Sequence, residues 1–362
     1  MRYFLPAISV LLLVLLSVHA QDELDTDELR LLLEDFVFED DLAVVLFVSN
    51  GTESWIGARG LADIENDSAV QSDDLFRIGS VTKPLVATIM LQMVDDGEIS
   101  LDDLIAEYLP DAVVANVENA DEATVRQMLQ MTSGIFNYTE SDIFDDATNA
   151  NPNRAWTAAE TIETIYGEES YFASGTDYYY SNSNYNLAQM IIEDVTGISL
   201  ADNLETRIFQ PLGMDSCFLE TPERFAQGIV RGYTQDDNDN WDDVTDYNDG
   251  VGMADGGVIC NAEDLAKFLP GLRDTLLSEA MLEEMLDTVD DGAGGAYGLG
   301  MGYDEGEFGM QVGHDGSTSG FQSNMVYLPD EDIVVVILTN NFDSDLVEEL
   351  TIEAQAIALG EY

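Results

Sequence analysis

The sequence predicts an α/β (α+β) protein: one antiparallel sheet assembled from both chain ends, flanked by terminal helices, with a large helical region between them. A hairpin signature near each end and a long stretch of helices and loops separating them carry that expectation. Near the start, residues 23–38 place Leu24, Leu29, Leu31, Leu32, Leu33 and Phe36 at mostly helical spacing, which predicts a first helix. The β-rich run 42–48 then meets Asn50-Gly51 and a second run at 55–60. Asn-Gly between two such runs is a strong hairpin signal. Near the end, residues 323–328, the turn Pro329-Asp330-Glu331-Asp332 and residues 333–339 predict the second hairpin, and residues 346–359 return as a helix. The expected organisation is one domain over residues 21–362, its sheet-bearing part about 21–80 and 290–362 and its helical part about 81–289.

Charge narrows the function classes. The 362 residues carry 72 acidic against 12 basic side chains, a formal net charge of −60. Hydrophobic residues make up 46% of the chain, enough to bury a full core, so disorder is excluded despite the charge. Nucleic acid is excluded as a partner, because phosphate binding needs Lys and Arg to release counterions. The acids are spread along the whole chain and read as a solvated surface that tolerates high ionic strength. A salt-rich source is the leading explanation, and an acidic growth medium is its rival.

The N-terminus reads as a targeting segment. Arg2 is followed by an apolar run of about 15 residues that ends in Val18-His19-Ala20 before the polar Gln21-Asp22-Glu23. This predicts a secretory signal over residues 1–20, cleaved after Ala20, and a secreted or periplasmic protein without stable membrane insertion. A retained anchor is the alternative, but the run is short for a span of ~20 residues. The chain holds two lysines, Lys83 and Lys267, and two histidines, His19 and His314, so a histidine-rich zinc site is excluded. Cys217 and Cys260 form an even pair that permits a disulfide in an exported chain; two buried free thiols are the alternative.

Two tempting motifs fail. Residues 292–302 (GAGGAYGLGMG) are glycine-rich but lack the GxGxxG spacing, which predicts a loop or bulge rather than a phosphate cradle. Asp236-Asp237-Asn238-Asp239-Asn240 resembles the start of a calcium loop, but Trp241 stands where the turn glycine belongs and Tyr247 where the bidentate Glu belongs. A solvated hairpin tip is expected there.

Three segments can carry chemistry. In Ser80-Val81-Thr82-Lys83, followed by the helical pattern LVATIMLQMV, Ser80 and Lys83 share one face of a first helical turn. A serine hydroxyl needs a base to take its proton, and an amine can serve if desolvation or nearby cations lower its pKa. A helix N-terminus disfavours ammonium and supports a developing oxyanion. In Tyr178-Tyr179-Tyr180-Ser181-Asn182, a phenol can relay a proton and an Asn side chain can both donate and accept. In Gly313-His314-Asp315-Gly316-Ser317, a histidine sits among glycines that let a ligand approach the backbone.

The set SxxK, YxN and His-x-Gly, in this order, resembles the serine β-lactamase and penicillin-binding-protein superfamily, in the branch of class C β-lactamases, DD-carboxypeptidases and esterases. Similar segments at 75–80, 125–135, 208–214 and 256–265 extend the resemblance over about residues 47–340. It implies the β-lactamase/transpeptidase-like fold, with Ser80 as acylated nucleophile and Lys83 with Tyr180 as the proton-relay pair. It further implies that Asn182 holds the substrate carbonyl region and Lys83, and that His314 replaces a third-motif lysine, supporting Tyr180 and the charge balance. Asp315, Gly316 and Ser317 fall on the substrate and oxyanion side, with the N–H groups of Ser80 and Ser317 as the oxyanion hole. Asp315 departs from the neutral hydroxyl of carboxylate-recognising members, and Gly302 stands where some peptidases carry Arg.

The expected activity is therefore an exported serine hydrolase acting on small-molecule esters or amides, or on peptides, with no metal or organic cofactor. A D-alanyl-D-alanine carboxypeptidase, D-aminopeptidase or β-lactamase is the first alternative, and a catalytically idle penicillin-binding module the second. A Ser-His-Asp triad on His314 is the mechanistic rival, although no GxSxG elbow surrounds any serine. The sequence does not give the oligomeric state. Like charges at this density repel within the Debye length, ~10 Å at 0.1 M salt and ~3 Å at 1 M. Both the unfolding midpoint and the activity are therefore expected to rise with NaCl into the molar range; a midpoint independent of salt in denaturation curves would contradict this.

Overall fold

The computed structural model describes residues 23–222, 225–236, 238, 240–248, 252–344 and 346–361; the expected signal segment, residues 1–20, lies outside them. An eight-stranded antiparallel sheet organises the rest. Its order runs Val289–Asp290, Ala296–Tyr297, Gly302–Gly306, Gly309–Thr318, Phe321–Leu328, Ile333–Thr339, Val44–Ser49, Ser54–Arg59. The two chain ends meet where Val44 pairs with Thr339 and Ser49 with Val334, and both expected hairpins are present.

The apolar runs form central strands because each face has a partner layer. Alternate residues point to opposite faces of a strand. Val44, Leu46 and Val48 join Val335 and Ile337 in a core shared with the terminal helices Thr26–Phe36 and Leu346–Leu359. Val45 and Phe47 join Val334, Val336 and Leu338 in the larger core shared with helices of the middle region, chief among them Thr82–Asp95. A strand buried on both faces reads as a continuous hydrophobic run, which is what residues 44–48 and 333–338 show. The first helix is shorter than the spacing predicted, because Asp25 caps it by accepting from the Glu28 N–H.

The middle region is not helical throughout. Phe76–Arg77, Val258–Cys260 and Phe218–Leu219 form a small three-stranded sheet. Strands of two or three residues are too short to show a period. The glycine-rich stretch makes the expected loop at 292–295 but also supplies Ala296–Tyr297 and the start of Gly302–Gly306 to the edge of the large sheet. At the Asp-rich hairpin tip, Asp236 accepts from the backbone N–H groups of Asn238 and Asn240, as a solvated turn does. No helix among the described residues is long and apolar enough to cross a membrane.

The small sheet is tied in two ways. Cys217 and Cys260 lie opposite each other across the Phe218–Ile259 register and are joined by a disulfide. Beside them Arg77, fully buried, forms a bidentate pair with Glu220, Nε to Oε2 at 2.9 Å and Nη2 to Oε1 at 3.1 Å. Arg77 lies three residues before Ser80, so this pair anchors the approach to the site. Removing one member of a buried pair leaves an uncompensated charge, at a cost of about 3–5 kcal/mol. Glu220→Gln is expected to lower the unfolding free energy in urea by about that much; an unchanged midpoint would show that the pair carries no structural weight.

Candidate active site

The site forms where the large sheet meets the start of the helix Thr82–Asp95. Ser80 lies in a 3-10 turn, Gly79–Val81, that feeds directly into that helix. Gly79 has φ +50°, and a Cβ there would stand 2.8 Å from the Ser317 nitrogen. Only glycine lets the two segments touch, and their contact brings Ser317 beside Ser80. A Cβ on Gly316 would meet the Ile78 carbonyl at 2.1 Å, so the same closeness holds one residue earlier on each side. Thr318 and Phe321 close a two-residue hairpin, and ladder bonds alternate along antiparallel strands. The pair Ser317–Gln322 is by that alternation the unbonded one, which turns the Ser317 N–H away from its partner strand and toward Gly79.

Lys83 has no solvent exposure. Its Nζ reaches the Ser80 Oγ at 2.8 Å and the Asp255 main-chain carbonyl at 2.7 Å. The same nitrogen lies 4.9 Å from the centre of the Tyr180 ring and 5.7 Å from that of Tyr185. Burial pulls its pKa down to about 8, against the opposing charges of Asp255 and Asp315. Tyr180 lies near Ser80; loss of solvent pushes its pKa well above 10, with the Ser80 hydroxyl pulling the other way. At neutral pH Tyr180 is a phenol, and Lys83 is the group poised to titrate.

Asn182 precedes the helix Ser183–Thr196, and its backbone N–H donates to the Asn137 Oδ1 at 3.1 Å. The expected contact from Asn182 to Lys83 is not made: the hydrogen-bond acceptors of Nζ are Ser80 and Asp255. The reason is geometric, since the segment containing Asp255 lies against the amine. The structure also changes the reading of His314. Its Nδ1 lies 2.5 Å from the Asp315 carbonyl and its Nε2 lies 3.0 Å from the Tyr297 hydroxyl. A carbonyl only accepts, so Nδ1 carries the proton and Nε2 accepts from Tyr297. Burial first, and the charge of Lys83 as well, bring the His314 pKa down to about 4, although Asp315 opposes this. His314 is uncharged at neutral pH and does not reproduce a lysine's charge. It reaches Tyr180 only as a neighbouring ring, 6.1 Å between centroids. A triad through His314 is also not assembled, because its outward nitrogen is engaged by Tyr297 rather than Ser80.

A cleft of about 890 Å³ is lined by Tyr178, Tyr180, Tyr297, Asp315 and Ser317 among others; it reaches the site through Tyr180 and Ser317, Ser80 itself is not part of its wall, and no lysine or arginine lines it among the described residues. Asp315 is exposed on its wall. Sequence reasoning missed Asp255 and Tyr297. Tyr297 belonged to the YGLGM segment already singled out, and Asp255 directly precedes Gly256-Gly257; an acid at that junction was the available signal.

The family model for Beta-lactamase matches residues 38–359. A D-aminopeptidase of Brucella anthropi is 26% identical over 317 residues, covering 84% of this chain and 56% of that protein. Esterase EstB of Burkholderia gladioli is 30% identical over 192 residues, 51% of this chain and 49% of that protein. The chain thus spans about half the length of these two relatives. A solved D-stereospecific amidohydrolase from Streptomyces sp. superposes with a TM-score of 0.79 at 29% identity, covering 91% of this chain and 98% of that one.

The His314 assignment can be checked without substrate. Imidazole ¹⁵N spectra are expected to show a neutral Nδ1–H ring at pH 7 that gains its second proton only near pH 4. A midpoint at the ordinary ~6.5 would contradict it.

Proposed function

The chain belongs to the Beta-lactamase family, and from that premise we propose that it is a serine hydrolase cleaving ester or amide bonds through an acyl-enzyme on Ser80. The observation that carries this reading is the fully buried Lys83 amine at 2.8 Å from the Ser80 hydroxyl. A neutral amine in that position keeps an N–H on the Asp255 carbonyl and turns its lone pair to the serine. It can then accept the proton as Oγ attacks a carbonyl. The N–H groups of Ser80 and Ser317 are suited to receive the oxyanion, where loss of one donor typically costs ~3–4 kcal/mol. Tyr180, protonated and near Ser80, passes a proton to the leaving group and takes one back from Lys83. Deacylation reverses the relay with water in place of the leaving group.

The cleft sets the substrate class. With Asp315 on its wall and neither lysine nor arginine lining it among the described residues, it favours neutral esters and amides, including amides with a free amine, over peptides ending in a free carboxylate. The relatives, an esterase, a D-aminopeptidase and a D-stereospecific amidohydrolase, fit that class. The Ser80–Lys83 pair, with its amine fully buried, favours catalysis over an idle binding module. Export through a signal over residues 1–20 completes the reading, and the Cys217–Cys260 disulfide supports an oxidising compartment.

Ser80→Ala is expected to abolish covalent labelling by a fluorophosphonate probe while circular dichroism stays native. Wild-type protein is expected to turn over p-nitrophenyl esters or D-amino acid amides with a higher kcat/KM than D-Ala-D-Ala peptides. Labelling of the alanine variant at the wild-type rate would remove Ser80 as the nucleophile, and a preference for free D-Ala termini would overturn the substrate class. The pH dependence has a fixed sign. Lys83 works without its proton, so kcat/KM rises with pH through about 8 and is lost below it as ammonium accumulates.

A further inference from the structure

A second buried pair stands directly behind the amine. Tyr138, 1% exposed, donates its hydroxyl to the Asp255 Oδ2 at 2.7 Å, and Asp255 is itself 7% exposed. The main-chain carbonyl of this same Asp255 accepts from the Lys83 Nζ. Tyr138 is fixed at both ends: its backbone N–H donates to the Ser183 Oγ at 2.9 Å, and its ring packs edge-on against Phe144 at 4.9 Å. The Asp255 segment is held on its other side, where the Ala254 N–H donates to Gln189 and the Gly257 N–H to the Met253 carbonyl. Neither Tyr138 nor Asp255 belongs to the three motifs.

We propose that Asp255 and Tyr138 are positioning residues for Lys83: the Tyr138 hydroxyl anchors the Asp255 carboxyl group, and that anchoring fixes both a carbonyl acceptor and a negative charge against the amine. The inference rests on the reading of Lys83 as the base and adds what tunes it. The groups facing Lys83 are Ser80 from its own turn, Tyr180 and Tyr185 as neutral rings, neutral His314, and the charges of Asp255 and Asp315. Burial alone favours a permanently neutral amine. The Asp255 charge opposes that and favours ammonium, while its carbonyl aims one N–H away from Ser80. The amine is thereby kept able to hold the serine's proton after attack, rather than merely to accept it in passing.

Asp255→Asn separates the two contributions, because it keeps the main-chain carbonyl and offers Tyr138 an amide oxygen but removes the charge. The limb of kcat/KM that rises as Lys83 deprotonates is expected to move to lower pH by about one unit, the low end for loss of a close opposite charge. Tyr138→Phe keeps the charge and loses the anchor; kcat is expected to fall about tenfold with KM within about twofold, the lower part of what a misplaced proton-transfer group costs. Tyr138→Phe made on top of Asp255→Asn is expected to move the limb no further. Circular dichroism reports folding of each variant, and the phenylalanine variant tests the anchor if the asparagine variant does not fold. A limb unmoved or raised in folded Asp255→Asn, or an unchanged kcat in Tyr138→Phe, would overturn the proposal. A wild-type profile with no limb near pH 8 would instead overturn the role of Lys83 itself.

Discussion

The site depends on one costly act: taking a lysine amine entirely out of water. An ammonium moved into a protein interior loses several kcal/mol of hydration unless charges and hydrogen bonds replace it, and the group answers by shedding its proton more readily. Around Lys83 the replacements are partial. One carbonyl, one hydroxyl and two aromatic faces receive it, with Asp255 and Asp315 supplying charge. Their balance leaves the amine near the pH at which a proton can pass in both directions. Tyr180 sits in the same enclosure with the opposite response, holding its proton more tightly. Two neighbouring groups driven apart in this manner suit the division of acid and base proposed for them.

On the proposed reading, geometry then has to place a nucleophile and an acceptor of negative charge around that amine. The three segments involved are far apart in the sequence; two are seated on regular structure, and the third leads directly into a helix. Ser80 and Lys83 open a helix whose first turn is wholly buried. Tyr180 precedes another helix, and Ser317 lies on a strand in the middle of the large sheet. The tight contact of Gly79 with Ser317 makes the distance between Ser80 and the Ser317 N–H a property of the backbone. The Arg77–Glu220 pair and the Cys217–Cys260 bridge hold the short strand that delivers Ser80 to this contact.

Most of this was legible in the sequence where the signal is local. The i, i+3 relation of Ser80 and Lys83 follows from helical pitch, and the two terminal hairpins follow from turn chemistry and β-rich runs. What escaped depends on burial and on contacts between distant segments. His314 reads as a charge carrier until its neighbours are known; enclosed by Tyr297 and Lys83, it is neutral. Asp255 reads as one acid among 72, and only the fold puts its carbonyl on the Lys83 amine. The strands Phe76–Arg77 and Phe218–Leu219 are too short to announce themselves and exist because Val258–Cys260 lies between them.

The seam between Val44–Ser49 and Ile333–Thr339 has a bearing on how the molecule comes into being. A ribosome that has made the first of these strands must add nearly three hundred residues before the second emerges, about 15–60 s at ordinary elongation rates. Through that interval an apolar strand has its hairpin partner on one side and an open edge on the other, the arrangement most prone to pairing with a stranger. The same delay keeps Ser317 away from Ser80, so a nascent chain lacks the contact on which the proposed oxyanion site rests. Acids spread along the whole chain make neighbouring unfinished chains repel one another while they wait. Acidity and topology thus answer each other: a sheet that closes late is safest in a chain that keeps its distance from its own copies.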